Sequence, residues 1–201
     1  MKILYFFAAG LTAGTFGYHV TKNRIAALTM FASWPLIYMR GRSPEEAAIS
    51  ALFINLLLTV SMIDMESLII PNRYVLAITL ISLPEFILET GPGWWERLAG
   101  AAASGILLAF VLIIGGRGGK SVLGWGDVKL SAACGLMLGW RLALLSLFAA
   151  CLTASLGITA LGAFRKAPES GTPLPFAPAI AVGAAICRLW GTELLSLILP
   201  G

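Results

Sequence analysis

Two carboxylates are the residues of this sequence best suited to chemistry, because Asp64 and Asp127 are its only aspartates and both lie at the edge of apolar runs. An ionisable group at membrane depth is costly and is therefore a functional candidate. When two carboxylates share a site, like-charge repulsion lets the pair hold a single proton. One carboxylate can then take a proton from water while the other protonates or hydrogen-bonds the attacked carbonyl. This is the chemistry of aspartic proteases.

Each aspartate taken alone also has a structural explanation, since charged residues often mark helix ends. Asp64 could end a span, and Asp127 could cap the next helix. The glycines before Asp127 favour a chemical role, because Gly124 and Gly126 leave bare backbone that an extended peptide and a water can approach. A glycine pair in a membrane helix is more often a packing device. The GxGD pattern therefore needs support from a second motif.

The second motif begins at Asp64 and reads DMESLIIPN. Pro71 with Asn72 can restart a helix after a short loop, which would hold Asp64 against a re-entering chain. Lys129 follows the GxGD aspartate and could attract a substrate carboxylate or help to ionise Asp127. A role in setting topology at the cytoplasmic interface is the more common one for such a lysine. The two acidic motifs at one predicted membrane face are together strong evidence for a site.

The elements that must position these residues are membrane helices. Hydrophobic residues make up 58% of the 201 residues, charged residues make up 12%, and the mean hydropathy is +0.88. A soluble chain carries roughly 25% charged residues. This composition excludes a water-soluble fold, intrinsic disorder and a disulfide-stapled scaffold. The net charge of +4 fits cytoplasmic loops rich in Lys and Arg, and no basic run with interleaved aromatics supports nucleic-acid binding.

The apolar runs predict an all-α, polytopic bundle of about eight transmembrane helices in a single domain, 1–201, because backbone amides in hydrocarbon must be satisfied internally. The runs are 3–20, 25–39, 46–63, 73–90, 96–114, 126–139, 141–163 and 175–199. The run 126–139 could be recessed rather than a full crossing. The first run is also typical of a signal peptide, but we expect a retained span. With the N-terminus outside, both aspartates face the cytoplasm.

The two acidic motifs resemble those of the type IV prepilin peptidases, membrane aspartyl proteases of the GxGD class. The second catalytic motif of that family is matched by GWGD at 124–127 with Lys129 following, and the first is matched by Asp64 with the Ile-Pro-Asn of 70–72. Two weaker similarities to family motifs lie at 10–16, in the glycine-rich first run, and at 174–178, where the last helix opens.

The resemblance implies removal of the short basic leader of prepilins or pseudopilins at the cytoplasmic face of the inner membrane, on the carboxyl side of a glycine. Asp64 and Asp127 would be the catalytic pair, without a metal or other cofactor. Five further residues would form the active-site loops: Gly124, Gly126, Lys129, Pro71 and Asn72. The implied partners are the transmembrane helix of the precursor, the lipid bilayer, and a pilus or type II secretion machine.

One feature of many bacterial family members is missing. They carry a cytoplasmic insertion after the first helix whose paired CxxC motifs bind zinc. Only residues 21–24 connect the first two predicted spans here, and the sequence contains no CxxC motif. Without that insertion, the methyltransferase activity of bifunctional relatives has no supporting feature in this sequence.

Two other functions are compatible with the same two acids. An ion- or proton-coupled transporter could use them as a relay. Such transporters usually have inverted repeats with broken helices near the bilayer midplane, and no internal symmetry of that kind is evident. A catalytically silent relative that scaffolds a pilus or secretion machine is the other alternative, and the presence of both aspartates argues against it.

Overall fold

The computed structural model describes residues 37, 43–87, 91–116, 123–164 and 174–198. Nearly all of these residues are helical, and no strand occurs among them. In chain order the helices are α1 (Pro44–Ser67), α2 (Asn72–Ile87), α3 (Trp94–Gly116), α4 (Trp125–Leu138), α5 (Trp140–Phe164) and α6 (Ala177–Ile198). The predicted all-α helical bundle is confirmed.

Four of these helices, α1, α3, α5 and α6, are long and apolar enough to cross a membrane. The chain is therefore a multi-pass membrane protein. The other two helices have 16 and 14 residues, fewer than the about 20 of a full span. The short α4 fits the expectation that the run 126–139 is recessed. The predicted runs 3–20 and, apart from Ile37, 25–39 lie outside the described residues, so the count of about eight spans stays a prediction.

The ends of α1 are set by local sequence. Ser43 caps its first turn, where the hydroxyl accepts a hydrogen bond from the Glu46 N–H at 3.2 Å, and Pro44 occupies the first helical position. At the other end Leu68 has a φ of +55°, and its N–H donates to the Asp64 carbonyl at 2.9 Å. This left-handed cap ends the helix just after Asp64 and turns the chain towards α2.

Close backbone contacts fix α4 and α6 within the bundle. Gly100 of α3 and Gly135 of α4 approach so closely that neither position has room for a Cβ atom, and Ser104 donates to the Ser131 carbonyl at 3.0 Å beside them. Gly183 of α6 lies equally close to the backbone of α5. Small residues allow such approaches between membrane helices. These contacts fix the positions of α4, which carries Asp127, and of α6.

The centre of the bundle is formed largely by α1. Phe53, Leu57 and Val60 of this helix are fully buried and belong to the same apolar cluster as Leu130 and Met137 of α4. Large apolar side chains on α2, α3 and α5 are instead exposed on the outside of the bundle. Such an outer surface matches the hydrocarbon of a bilayer, in which apolar side chains need no burial by protein.

A buried ion cluster joins four helices at the end of the bundle where α2 ends and α3 begins. The Glu85 carboxylate of α2 accepts from Arg97 Nη2 of α3 at 3.2 Å, and from Arg188 Nη1 of α6 at 3.2 Å. Arg188 makes a second bond to Glu85 through Nη2 and donates from Nε to Ser50 Oγ of α1 at 2.8 Å. Arg97 also donates to the Pro92 carbonyl at 2.9 Å. Every charge of the cluster is hydrogen-bonded.

Candidate active site

Asp64 lies in the last turn of α1, where its side chain is buried. Its Oδ2 accepts a hydrogen bond from the backbone N–H of Ala177 at 3.0 Å. Ala177 is the first residue of α6, and the N–H groups of a first helical turn have no partner within their own helix. One turn before Asp64, the Ser61 hydroxyl lies 3.5 Å from the Ala177 carbonyl. The carboxylate is therefore held by the positive end of a second helix.

Asp127 is the third residue of α4, and its side chain is also buried. Its Oδ2 accepts a hydrogen bond from the Gly124 N–H at 2.9 Å, which closes the first turn of the helix. Its Oδ1 is buried and has no hydrogen-bond partner among the described residues. A buried polar atom without a partner is costly and is seldom left so without a functional reason. This oxygen is available to a proton, a water or a substrate.

Both aspartates line one cavity of about 400 Å³ where α1 ends and α4 begins. The structure thus joins two motifs that are far apart in sequence. Of the other predicted site residues, four also line this cavity: Asn72, Gly124, Gly126 and Lys129. Pro71 is not among the lining residues. Its carbonyl accepts from the Tyr74 N–H at 3.1 Å, so it opens α2, which is the helix-restarting role expected for it.

The two glycines of the GxGD motif differ in how much space surrounds them. A Cβ atom on Gly126 would lie 2.9 Å from the Cβ of Ile70, so the loop after α1 packs directly on this residue. A Cβ atom on Gly124 would come no closer than 3.6 Å to its nearest neighbour, an oxygen of Asp127. Gly126 therefore lets the Asp64-bearing and Asp127-bearing segments meet. At Gly124 there is room for a side chain, and the residue serves Asp127 through its backbone N–H.

Lys129 connects the same two segments at the rim of the cavity. Its Nζ donates a hydrogen bond to the side-chain oxygen of Asn72 at 3.2 Å, and both side chains are exposed. The contact reaches from α4 to the first residue of α2.

The sequence patterns did not predict the hydrogen-bond donor that holds Asp64. The segment 174–178 was identified only as the opening of the last helix, yet Leu174 and Phe176 line the cavity and Ala177 donates to Asp64. The available signal was Pro178, because proline is favoured at the start of a helix and marks the neighbouring N–H groups as unpaired. The other weaker motif, 10–16, lies outside the described residues.

Within 43–87, 91–116, 123–164 and 174–198, no three His, Cys, Asp or Glu side chains are grouped so that they could hold a metal ion. The groups of the cavity that can react with or bind a substrate are its two carboxyl groups, the backbone N–H donors that hold them and the ammonium of Lys129.

Comparisons with known proteins identify relatives of this chain. It is 34% identical over 150 residues to the prepilin leader peptidase/N-methyltransferase of Bacillus subtilis, covering 73% of this chain and 57% of the relative. The protein of the same name from Pseudomonas aeruginosa is 33% identical over 144 residues, covering 69% of this chain and 48% of the relative. The chain thus spans about half the length of these curated relatives. No solved structure matches it.

A family model gives the same classification. The model described as the type IV leader peptidase family matches residues 51–159, just over half of the chain, and this range includes both aspartates of the cavity. The chain belongs to the type IV leader peptidase family.

Proposed function

We propose that this chain is an aspartyl endopeptidase that removes the leader peptide of prepilins or pseudopilins. The observation that carries the proposal is the meeting of Asp64 and Asp127, both buried, in one cavity of a chain from this family. Two carboxyl groups that share a site can carry out peptide hydrolysis by water, as in the aspartic proteases. The names of the relatives, prepilin leader peptidase/N-methyltransferase, support the choice of substrate.

The hydrogen bonds of the two carboxyl groups suggest their roles. Each carboxyl group accepts one backbone N–H, so the assignment rests on Oδ1 of Asp127, which has no partner in the described part of the chain and is the better place for the shared proton. Asp64 is then the base and takes a proton from water while the water oxygen attacks the peptide carbonyl carbon. Asp127 holds the shared proton on Oδ1, the oxygen without a partner among the described residues, and gives it to the carbonyl oxygen. A tetrahedral diol results.

Collapse of the diol completes the reaction with atoms balanced. The C–N bond breaks as the leaving nitrogen takes a proton from Asp64, and one diol hydroxyl returns its proton to Asp127 as the new carboxyl group forms. The pair is then restored to its starting state, with Asp64 ionised and Asp127 protonated. No step requires a metal or an organic cofactor.

The surroundings of the site suggest how the precursor is presented. The apolar side chains of Leu68 and Ile69 line the cavity and are exposed, so the membrane-spanning helix of a precursor would meet them on arriving from the bilayer. We place this end of the bundle at the cytoplasmic face of the inner membrane, as the basic-residue bias predicts. The processed pilins or pseudopilins would be assembled by a pilus or type II secretion machine.

Co-expression with prepilins tests this function. Asp64→Asn and Asp127→Asn should each lower leader removal by at least about 10²-fold, because each removes a proton-transfer group, as measured by mass spectrometry of the pilin N-terminus. Glu66→Gln is the matched control, since Glu66 is exposed and lies two residues from Asp64. Normal cleavage by either aspartate variant would refute the catalytic pair.

The alternative of a proton-coupled transporter is less well supported. Its relay would have to pass protons through the bundle, whereas the two aspartates occupy a single cavity near the ends of α1 and α4. Proton flux across vesicles that contain the purified protein would decide the matter. Flux that depends on Asp64 and Asp127 in the absence of prepilin cleavage would favour the transporter.

A further inference from the structure

Lys129 lines the cavity although its place on α4 would point it away from Asp127. It follows Asp127 by two residues, and residues two apart on a helix do not share a face. Its long side chain nevertheless lines the same cavity, because Nζ extends to α2 and donates to Asn72 Oδ1 at 3.2 Å. The ammonium group thus bridges the start of α2, which follows the Asp64 segment, and the helix that carries Asp127.

Stability does not account for this arrangement. Both Lys129 and Asn72 are exposed, and exposed polar pairs contribute little to folding, while ordering a long lysine side chain costs entropy. An ammonium carries three N–H donors, and Asn72 accepts one of them. Among the described residues no second acceptor for Lys129 is recorded, so the remaining donors are open to a ligand in the cavity.

The charges around the cavity indicate which ligand atoms those donors would meet. Among the described lining residues, the charged groups are the two aspartates and Lys129. A peptide lying across the aspartates presents carbonyl oxygens on both sides of the bond to be cut. Each of those oxygens needs a hydrogen-bond donor at the rim of the cavity. The ammonium of Lys129 is such a donor, and a charge-assisted hydrogen bond is stronger than a neutral one.

We propose, resting on the peptidase function above, that Lys129 is a substrate-binding residue and Asn72 its positioning residue. Asn72 aims the ammonium, and the ammonium donates to an oxygen of the bound peptide, which fixes the part of the precursor that crosses Asp64 and Asp127. The oxygen belongs either to a main-chain carbonyl or to an acidic side chain of the precursor. Both have the same hydrogen-bond chemistry.

Cleavage kinetics in proteoliposomes test the proposal, with a prepilin that the wild-type protein cleaves. Lys129→Met should raise KM about tenfold, as expected for one lost charge-assisted hydrogen bond, and leave kcat within about twofold. Lys129→Arg should recover most of the affinity. Asn72→Ala should raise KM about threefold and add nothing to Lys129→Met, because Asn72 acts through the lysine.

Arg73→Met is the matched control. Arg73 is an exposed cation next to Asn72 that lies over the Tyr74 ring and does not line the cavity. Its variant should leave KM unchanged. An equal rise of KM in Arg73→Met would mean that general surface charge attracts the precursor, and an unchanged KM in Lys129→Met would overturn the proposal. So would a lower kcat with a displaced pH profile at constant KM, because Lys129 would then act on the aspartates.

Substrate variants identify the oxygen. If the tenfold effect of Lys129→Met disappears when one Asp or Glu of the prepilin is changed to its amide, the acceptor is that carboxylate. If the effect persists in every such prepilin, the acceptor is a main-chain carbonyl. Binding of the intact prepilin to the Asp64→Asn, Asp127→Asn double variant, with and without Lys129→Met, gives a readout that needs no cleavage. A wild-type protein that cleaves no prepilin would refute the peptidase function instead.

Discussion

The two ends of the bundle hold buried charge in opposite ways. At one end, Asp127 keeps a buried carboxylate oxygen that has no partner among the described residues, beside a cavity. At the other end, about 20 Å away along α2, the Glu85 carboxylate is bound by the guanidinium groups of Arg97 and Arg188. A buried charge that is fully paired holds helices together, whereas one with an unpaired atom can bind or react.

The largest loss of stability is expected at the paired end. Glu85→Ala would leave the buried guanidinium group of Arg97 and the partly buried one of Arg188 without their carboxylate, and breaking a buried pair in this way typically costs about 3–5 kcal/mol. The denaturation midpoint of the purified protein in detergent measures this loss. Glu45→Ala is the control, because Glu45 is an exposed acid in the first turn of α1. A Glu85→Ala protein as stable as the control would show that the cluster does not join the helices.

A smaller effect is expected where the two aspartate-bearing segments meet. Gly126→Ala would push a methyl group against Ile70, and overpacking of this kind costs about 1–3 kcal/mol. The displaced loop should also reduce prepilin cleavage. Gly124→Ala has no neighbour closer than 3.6 Å to the added carbon, so it should be milder in both stability and cleavage. The reverse order would mean that the loop does not depend on Gly126.

The smallest change in stability is expected at the catalytic pair itself. Asp127→Asn removes one of the two carboxyl groups of the cavity and can keep an oxygen to accept from the Gly124 N–H, so its free energy of unfolding should stay within about 1 kcal/mol of the wild-type value. Leader removal should nevertheless be lost. If Asp127→Asn were as unstable as Glu85→Ala, the contrast between the two ends would fail, and the carboxylate at 127 would be structural.

Local patterns predicted the helices well for a physical reason. Uninterrupted apolar runs must be helical in hydrocarbon, because each backbone amide needs an internal partner. The predicted run 46–63 is therefore found within α1, and 96–114 within α3. The boundaries moved by a few residues where capping decides them, as Ser43 does for α1. The shortness of α4 followed from its position between Gly124 and Gly139, which begin and end it.

The sequence by itself determined that this is a helical membrane protein and that its two aspartates, each in a distinctive motif, are the residues to consider for chemistry. Only the tertiary structure decided what holds them. The hydrogen bond from Ala177 to Asp64 and the contact of Ile70 with Gly126 both join segments distant in the chain, as the pairing of Glu85 with Arg188 does at the other end of the bundle. Hydropathy is a property of each segment alone, whereas these contacts depend on how helix ends meet in space.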